Sequence, residues 1–154
     1  MFLAKKLQTS GVHISIHRQS LGKPSKPVIR TRKIVLRDED GGWLEADGFL
    51  RLERYGEASK LLRKLAPVAR RVLGENDDLT LKLGLIYGQS LFSDPGATRN
   101  ELREAVTTLE ETAPRARRVL GGAHPDTVGI EDSLRKARAV LRAREKTQPP
   151  PGSA

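Results

Sequence analysis

Two nearly identical stretches decide the fold of this chain: LAPVARRVLG at residues 65–74 and TAPRARRVLG at residues 112–121. Eight of the ten positions are identical, and the stretches lie 47 residues apart. The same offset aligns further residues, namely Glu57 with Glu104, Ala58 with Ala105 and Thr80 with Thr127. An internal repeat of this length predicts a duplicated unit whose copies stack on one another to bury a shared core.

Each of the two stretches completes an apolar stripe with helical spacing. The first stripe contains Ala58, Leu61, Leu62, Leu65, Ala69, Val72 and Leu73, and the second contains Leu102, Ala105, Val106, Leu109, Ala116, Val119 and Leu120. Steps of one, three and four residues keep these side chains on one face of a helix. Gly74 and Gly121 follow directly, and glycine at that position favours a helix end because it readily adopts a left-handed conformation.

Three further apolar segments bring the predicted number of helices to five. They contain Trp43, Leu44, Ala46, Phe49 and Leu50 before Tyr55; Leu81, Leu85, Leu91 and Phe92 between the two stripes; and Val128, Ile130, Leu134, Ala137 and Leu141 after Pro125. The predicted fold class is therefore all-α, a short solenoid of two helical hairpins plus a terminal helix. This repeat domain is expected to span residues 38–146.

The net charge of +9 lies in the head of the chain, residues 1–37. No acidic residue precedes Asp38, and the remaining 19 cations balance all 19 acids of residues 38–154. The nine cations of the head are Lys5, Lys6, Arg18, Lys23, Lys26, Arg30, Arg32, Lys33 and Arg37. Scattered Gly, Pro and Ser predict that the head is mostly disordered, as is the proline-rich tail at residues 147–154.

Two short segments of the head have the pattern of β-strands. Val12, Ile14 and Ile16 alternate with polar residues, and residues 34–36 form a short apolar run. Without a partner, either strand would be only marginally stable.

The head also bears on where the protein is located. A segment rich in Arg, Lys and Ser and free of acids has the composition of an organelle transit peptide, whereas the alternative is a solvated basic tail. We expect a cytoplasmic protein, with targeting to an organelle as the alternative. No apolar run approaches the roughly 18 residues of a membrane span, so none is expected.

The second copy of the repeat continues into RRVLGGAHPDT at residues 117–127. This phrase resembles the one that ends the tetratricopeptide repeats of kinesin light chains. Tyr55 and Ala58 match the residues that open the second helix of the family's unit, and Ala46 and Phe49 match the small and aromatic positions of its first helix. The resemblance covers roughly residues 40–145. It implies a protein-interaction module that performs no chemistry and holds an extended peptide on the concave face lined by its first helices.

The chain departs from the family pattern in three ways. Asp77 and Asp78 replace the His-Pro pair in the earlier copy, and the repeat is five residues longer than the family's, which we assign to the turn at residues 93–97. Pro67 and Pro114 fall inside both second helices, where each costs about 3 kcal/mol in a straight helix. A shared kink or a local break is therefore predicted.

The resemblance also indicates which residues face the groove. With the register set by Ala46 and Gly88, the groove-facing positions are Trp43, Asp47 and Arg51 on one first helix and Lys82, Gln89 and Ser93 on the next. Trp43 would supply hydrophobic contact, and Lys82 or Arg51 would bind an acidic residue. The alternative for Trp43 is an ordinary place in the core.

The residue content argues against an enzyme and against a cofactor. The chain has no cysteine and only three histidines, so no metal site is expected, and no catalytic motif is present. His124 is expected to cap a helix, because it precedes Pro125 at the start of one.

A different class of function would use the basic head to bind nucleic acid or an anionic surface. The head has no aromatic residue after Phe2, so only sequence-independent attraction to phosphate would operate. A protein or peptide partner is therefore preferred, with nucleic acid as the alternative.

Overall fold

A computed structural model describes residues 8–9, 12–18, 30–37 and 43–147, with side-chain positions from Glu45 onward. Residues 46–147 form five helices, which confirms the all-α class for this part of the chain. The helices are α1 (Ala46–Arg51), α2 (Tyr55–Leu73), α3 (Asp78–Ser93), α4 (Arg99–Leu120) and α5 (Pro125–Thr147).

The two copies of the repeated stretch form the C-terminal halves of α2 and α4. Their buried residues correspond at the 47-residue offset: Ala58 with Ala105, Leu62 with Leu109 and Ala69 with Ala116 are all 0% exposed. Gly74 and Gly121 follow the two helices with φ of 92° and 90°, a backbone conformation that L side chains rarely adopt. The repeat in the sequence is therefore also a repeat in the backbone and in the core.

The helices that follow the two stretches begin in corresponding ways. The Asp77 carboxylate accepts a hydrogen bond from the backbone N–H of Leu79 at 2.9 Å. Nδ1 of His124, 47 residues later, accepts one from the N–H of Asp126 at 3.1 Å. These bonds satisfy amides that have no partner within the first helical turn, so the predicted capping role of His124 is confirmed.

Neither interior proline breaks its helix. Helix α2 continues through Pro67 and α4 continues through Pro114, and both prolines are exposed. The predicted local break is therefore absent from both helices.

The extra length of the second hairpin is divided between its loop and its helix. The loop between α3 and α4, residues 94–98, is two residues longer than the loop between α1 and α2, residues 52–54. Helix α4 has 22 residues, whereas α2 has 19. The expectation that all five extra residues lie in the turn is therefore wrong, because three of them lengthen α4.

Helix α3 lies at the centre of the helical domain and packs against α1, α2, α4 and α5. Adjacent helices along the chain also pack on each other, as α1 does on α2 and α4 on α5. Gly84 and Gly88 bring α3 close to α4, because a Cβ atom at either position would lie 2.6 Å from Thr112 Oγ1 or Leu109 Cγ. One continuous apolar core joins residues of all five helices.

Exposed ion pairs join α4 to α2 and to α5 at seven-residue intervals. Toward α2 they are Arg63–Glu104 (3.0 Å) and Arg70–Glu111 (3.7 Å), and toward α5 they are Arg103–Glu145 (3.5 Å), Arg138–Glu110 (2.6 Å) and Arg117–Glu131 (2.6 Å). Since such pairs at the surface contribute at most about 1 kcal/mol each, they fix the register of the helices more than they stabilise the fold.

Four short strands precede the helices in a single antiparallel sheet of order β1-β2-β3-β4. They are β1 (Gln8–Thr9), β2 (Val12–Arg18), β3 (Arg30–Arg37) and β4 (Trp43–Glu45). The register pairs Val12 with Leu36 and Ile14 with Ile34, so the two predicted apolar segments become partners. The predicted disorder of the head does not extend to these strands, and the other residues of 1–37 lie outside the described part of the chain.

The first helix begins later than the sequence pattern predicts. Trp43 and Leu44 were assigned to it, but they form β4, which pairs with β3, and α1 starts only at Ala46. Gly41 and Gly42 precede this strand, and glycine disfavours helix by about 1 kcal/mol relative to alanine. At the other end, α5 includes Thr147, the first residue of the predicted tail, and residues 148–154 are outside the described residues.

Candidate functional site

Helix α3 is the most buried helix of the domain, and the few residues it leaves uncovered define the candidate site. Eleven of its 16 residues are buried. The five others are Asp78, Lys82, Gln89, Phe92 and Ser93. Three of these five are residues that the sequence assigned to a peptide-binding groove.

Lys82, Gln89 and Ser93 lie on the side of α3 that is turned away from α4. At 100° per residue, all three fall well over 100° around the helix from Gly84, where α3 comes closest to α4. Lys82 is exposed, whereas Gln89 and Ser93 are partly buried. The three polar side chains therefore form one stripe beside the neighbouring helices.

Helix α5 continues this stripe on one side. Gln89 Nε2 donates a hydrogen bond to Ser133 Oγ at 3.2 Å, and Leu85 packs close to Gly129. Asp132 forms ion pairs with Lys136 at 2.6 Å and with Arg135 at 2.8 Å. The hydrogen bond from Lys136 is the main cause that lowers the pKa of the Asp132 carboxyl group.

Sequence reasoning did not assign Asp132, Ser133 or Lys136 to the site, although the repeat contains a signal for one of them. The 47-residue offset takes Gln89, a predicted groove residue, to Lys136. Helix α5 packs against α3, and its polar residues extend the same surface. We call this surface the first-helix face, formed by Lys82, Gln89 and Ser93 of α3 with Asp132 and Lys136 of α5, while Ser133 is buried next to Gln89.

Helix α1 adds Asp47 and Arg51, which bind each other. Arg51 Nη2 lies 2.6 Å from Asp47 Oδ2, and 75% of the Arg51 side chain is exposed. Gly56, which soon follows Arg51, lies against Asp94 at the C-terminal end of α3. Arg51 is thus close to the end of α3 that is opposite to Lys82.

Lys82 and Arg51 lie on different helices. Lys82 is in the second turn of α3, whereas Arg51 is the last residue of α1. They are therefore separate cationic positions of the candidate site.

Trp43 is not on a first helix. It lies in β4, where its Cα partner is Arg37 of β3, so its assignment to the groove-facing positions of a helix is wrong. The aromatic residue of α1 is Phe49, which is 0% exposed and has the Arg54 guanidinium 5.1 Å above its ring centre. Phe49 therefore belongs to the core of the first hairpin.

A second polar cluster joins α2, α3 and α4, and the sequence analysis did not identify it. The Tyr87 hydroxyl donates a hydrogen bond to Glu104, and Arg63 Nε donates one to the Tyr87 hydroxyl at 3.0 Å. Arg63 Nη2 also donates to Glu104 at 3.0 Å. Burial, followed by the bond to Glu104, raises the pKa of Tyr87 to about 12. The cluster links three helices and leaves the tyrosine protonated at neutral pH.

Two kinds of functional feature are absent from the described residues. They contain no group of three or more His, Cys, Asp or Glu side chains that could hold a metal ion. Within the same residues, no helix has both the length and the apolar character needed to cross a membrane.

The chain was also compared with known proteins. No family model, no curated protein sequence and no solved structure matches it.

Proposed function

We propose that this chain is a non-catalytic protein-interaction module of the tetratricopeptide type, which binds an extended segment of a partner protein across its first-helix face. The resemblance of residues 117–127 to the repeat phrase of kinesin light chains suggests this class. The order of helix packing is consistent with it. Helix α1 packs against α3, and α3 packs against α5, as successive first helices of a solenoid would. Helices α1 and α3 also each pack against the second helix of their own hairpin, α2 or α4.

The observation that supports this function most directly is the exposure pattern of α3. A helix that packs against four others and buries eleven residues still presents Lys82, Gln89 and Ser93 in one stripe. If this stripe had only to be solvated, any polar residues would serve. Its amide and hydroxyl groups can pair with the N–H and C=O groups of an extended peptide.

The charges of the face indicate the kind of segment that it binds. Lys82 has no ion pair within the described part of the chain, whereas Lys136 is paired with Asp132. An acidic residue of the ligand would therefore bind at Lys82, near the N-terminal end of α3. Arg51, at the C-terminal end of α1, would contact a second part of the segment if its pair with Asp47 opens.

The proposal is tested by selecting short random peptides, displayed on phage, against the immobilised full chain. Enriched peptides are synthesised, and their dissociation constants are measured by fluorescence anisotropy. We expect acidic peptides whose binding is weakened about tenfold or more by Lys82→Glu, since the substitution replaces attraction with repulsion. Gln89→Ala should weaken binding by a smaller factor, because it removes one hydrogen-bonding group.

Arg118→Glu is the matched control for Lys82→Glu. It changes the net charge by the same amount but lies on α4, away from the first-helix face, and its side chain is exposed. If Arg118→Glu weakens peptide binding as much as Lys82→Glu does, or if no peptide is enriched, the proposed face is not a peptide-binding site.

The second candidate function is the binding of nucleic acid or an anionic surface through the head. The charge of the head favours it, because residues 1–37 hold nine cations and no acid, and the sheet register makes Arg18 and Arg30 Cα partners. A cation-rich segment without acids attracts phosphate groups irrespective of sequence. Replacing Arg18, Arg30 and Arg32 by Gln should abolish such binding and leave peptide binding unchanged, which separates the two functions.

A further inference from the structure

The side of α2 that faces away from the core carries a stripe of cations. Ala58, Leu62, Leu65 and Ala69 are the buried residues of α2 that face the core. The residues two positions further along lie about 200° around the helix from each of them. These residues are Lys60, Lys64, Pro67 and Arg71, all of them exposed. We call this surface the outer stripe of α2.

No acidic residue neutralises the outer stripe of α2. Lys60, Lys64 and Arg71 form no ion pair with any residue of the described part of the chain. The nearest glutamates of α4 are already bound, because Glu104 pairs with Arg63 and Glu111 pairs with Arg70 on the flank of the same helix. The three cations therefore remain available to an external anion.

The repeat supplies an internal comparison for this stripe. The 47-residue offset takes its four residues to Thr107, Glu111, Pro114 and Arg118 of α4. These lie opposite the buried Ala105, Leu109, Thr112 and Ala116 in the same geometry, but one acid and one cation give them no net charge. Since the two helices have equivalent places in the fold, the fold does not require three cations on α2.

We propose that the outer stripe of α2 binds the phosphate backbone of double-stranded nucleic acid without reading its sequence. Lys60 and Lys64 are about 6 Å apart along the helix axis and Arg71 is about 10 Å further, so they can contact separate phosphates. The nine cations and absent acids of residues 1–37 give the same chain a second segment suited to a long polyanion.

The composition of the stripe distinguishes this ligand from other anions. It has no aromatic residue on which an unpaired base could stack, which favours a duplex over a single strand. Val72, on the flank of the stripe, is the one exposed large apolar residue of α2, whereas a helix lying in a membrane surface needs a continuous apolar face. Phosphate attraction alone explains a row of lysine and arginine with only a proline between them.

The experiment measures binding of the full chain to labelled duplex DNA and duplex RNA of equal length by fluorescence anisotropy, at several salt concentrations between about 50 and 200 mM. The test variant is Lys60→Gln, Lys64→Gln and Arg71→Gln combined. The control variant is Arg118→Gln, Arg142→Gln and Lys146→Gln combined, which removes three exposed cations elsewhere and gives the same net charge. Because all six side chains are exposed, both variants should keep the circular dichroism spectrum and melting temperature of the parent protein.

We expect the test variant to bind both duplexes at least about tenfold more weakly near 50 mM salt, with the slope of log K against log salt reduced by about 2 to 3. The control should change binding by less than about twofold. A third variant, Lys60→Arg, Lys64→Arg and Arg71→Lys combined, keeps the charges and should bind like the parent.

Several results would overturn the proposal. Equal losses in the test and control variants would mean that only net charge matters. Tighter binding to a single strand than to a duplex would indicate base contacts. Binding to phosphatidylserine vesicles without binding to either duplex would assign the stripe to a lipid surface, and no binding to any of these probes would leave it without this role.

Discussion

Helices α1 and α3 each precede a second helix of the repeat, yet α1 has six residues and α3 has 16. When Ala46 is aligned with Gly88, residues 36–45 correspond to residues 78–87, the first ten residues of α3. In the second hairpin these ten residues are helix, whereas in the first hairpin residues 36–37 and 43–45 belong to strands β3 and β4. The second helices that follow, α2 and α4, bury corresponding residues throughout their repeated stretches.

This difference teaches that the second helices define the repeat and that the first helices can vary. Helix α3 is long because its apolar residues are needed on several sides, where α1, α2, α4 and α5 all contact it. Helix α1 packs mainly against α2 and α3, and residues of the sheet adjoin it. The surface that α1 presents is therefore short compared with those of α3 and α5.

The largest effects should come from the two second helices at their equivalent core positions. Leu62 and Leu109 are 0% exposed and lie in one core, so Leu62→Ala and Leu109→Ala should each destabilise the domain by about 3 kcal/mol. Urea unfolding followed by circular dichroism should show a single transition for both variants. A loss below about 1 kcal/mol in either one, or two separate transitions, would mean that the hairpins are not equivalent.

The next effect concerns the close approach of α3 to α4 at Gly88. The aligned residue of α1 is an alanine, Ala46. A Cβ atom at Gly88 would lie 2.6 Å from Cγ of the fully buried Leu109, so Gly88→Ala should destabilise by about 2 kcal/mol. Gly56→Ala is the control in α2, because its Cβ would lie 3.6 Å from Asp94. It should be neutral or stabilise the helix by up to about 1 kcal/mol, as alanine favours helix over glycine. The comparison fails if both variants unfold at the same urea concentration.

The Tyr87 cluster should contribute somewhat less and should depend on pH. Tyr87→Phe removes the hydroxyl that bonds to Glu104 and Arg63, which should cost about 1.5 kcal/mol near neutral pH. The raised pKa of about 12 means that the contribution is present below pH 10, the value for an unperturbed tyrosine, and is lost as the pH rises through 12.

Absorbance near 295 nm measures the ionisation of Tyr87 directly. The difference between the titration curves of the parent and of Tyr87→Phe isolates this residue from Tyr55, the other tyrosine of the chain. A difference curve with its midpoint at pH 10 would contradict the burial and bonding described for the cluster.

A smaller effect should distinguish the starts of the two second helices. Thr98 and Glu101 form a capping box at α4, whereas Arg54 makes no side-chain capping bond at α2. Thr98→Ala should therefore destabilise the domain by about 1 kcal/mol.

The bonds from Thr98 also lower the pKa of Glu101. Their contribution to stability is therefore present above the ordinary pKa of 4.5 and is lost as the pH falls through the lowered value. Unfolding measured at neutral and acidic pH should show a smaller difference between parent and variant in acid.

The interior prolines should show no loss at all. Pro67 and Pro114 are exposed in continuous helices, so Pro67→Ala and Pro114→Ala should each leave the stability unchanged or raise it, because a backbone hydrogen bond can form. Thermal unfolding gives the comparison. A loss of more than about 1 kcal/mol in either variant would mean that the proline sets a bend on which the stacking of the hairpins depends.

Local signals in the sequence were sufficient for much of the helical domain. The spacing of apolar residues predicted all five helices, although the first begins later than predicted, and the glycines at 74 and 121 predicted where α2 and α4 end. Of the six residues assigned to the groove, Lys82, Gln89 and Ser93 do share one side of α3. These features follow from the 3.6-residue period and from local backbone preferences, which act over a few residues and can therefore be read along the chain.

The remainder depended on contacts between distant residues. Trp43 and Leu44 have apolar side chains that suit a helix or a strand, and pairing with Arg37 and Leu36 decides for the strand. Gln89 meets Ser133, and Tyr87 meets both Arg63 and Glu104, only because α3 is packed among its neighbours. The sequence by itself determined which segments are helical and which of their faces are buried. Only the tertiary structure decided where the first helix begins and which polar groups meet, because those depend on long-range packing that no local pattern encodes.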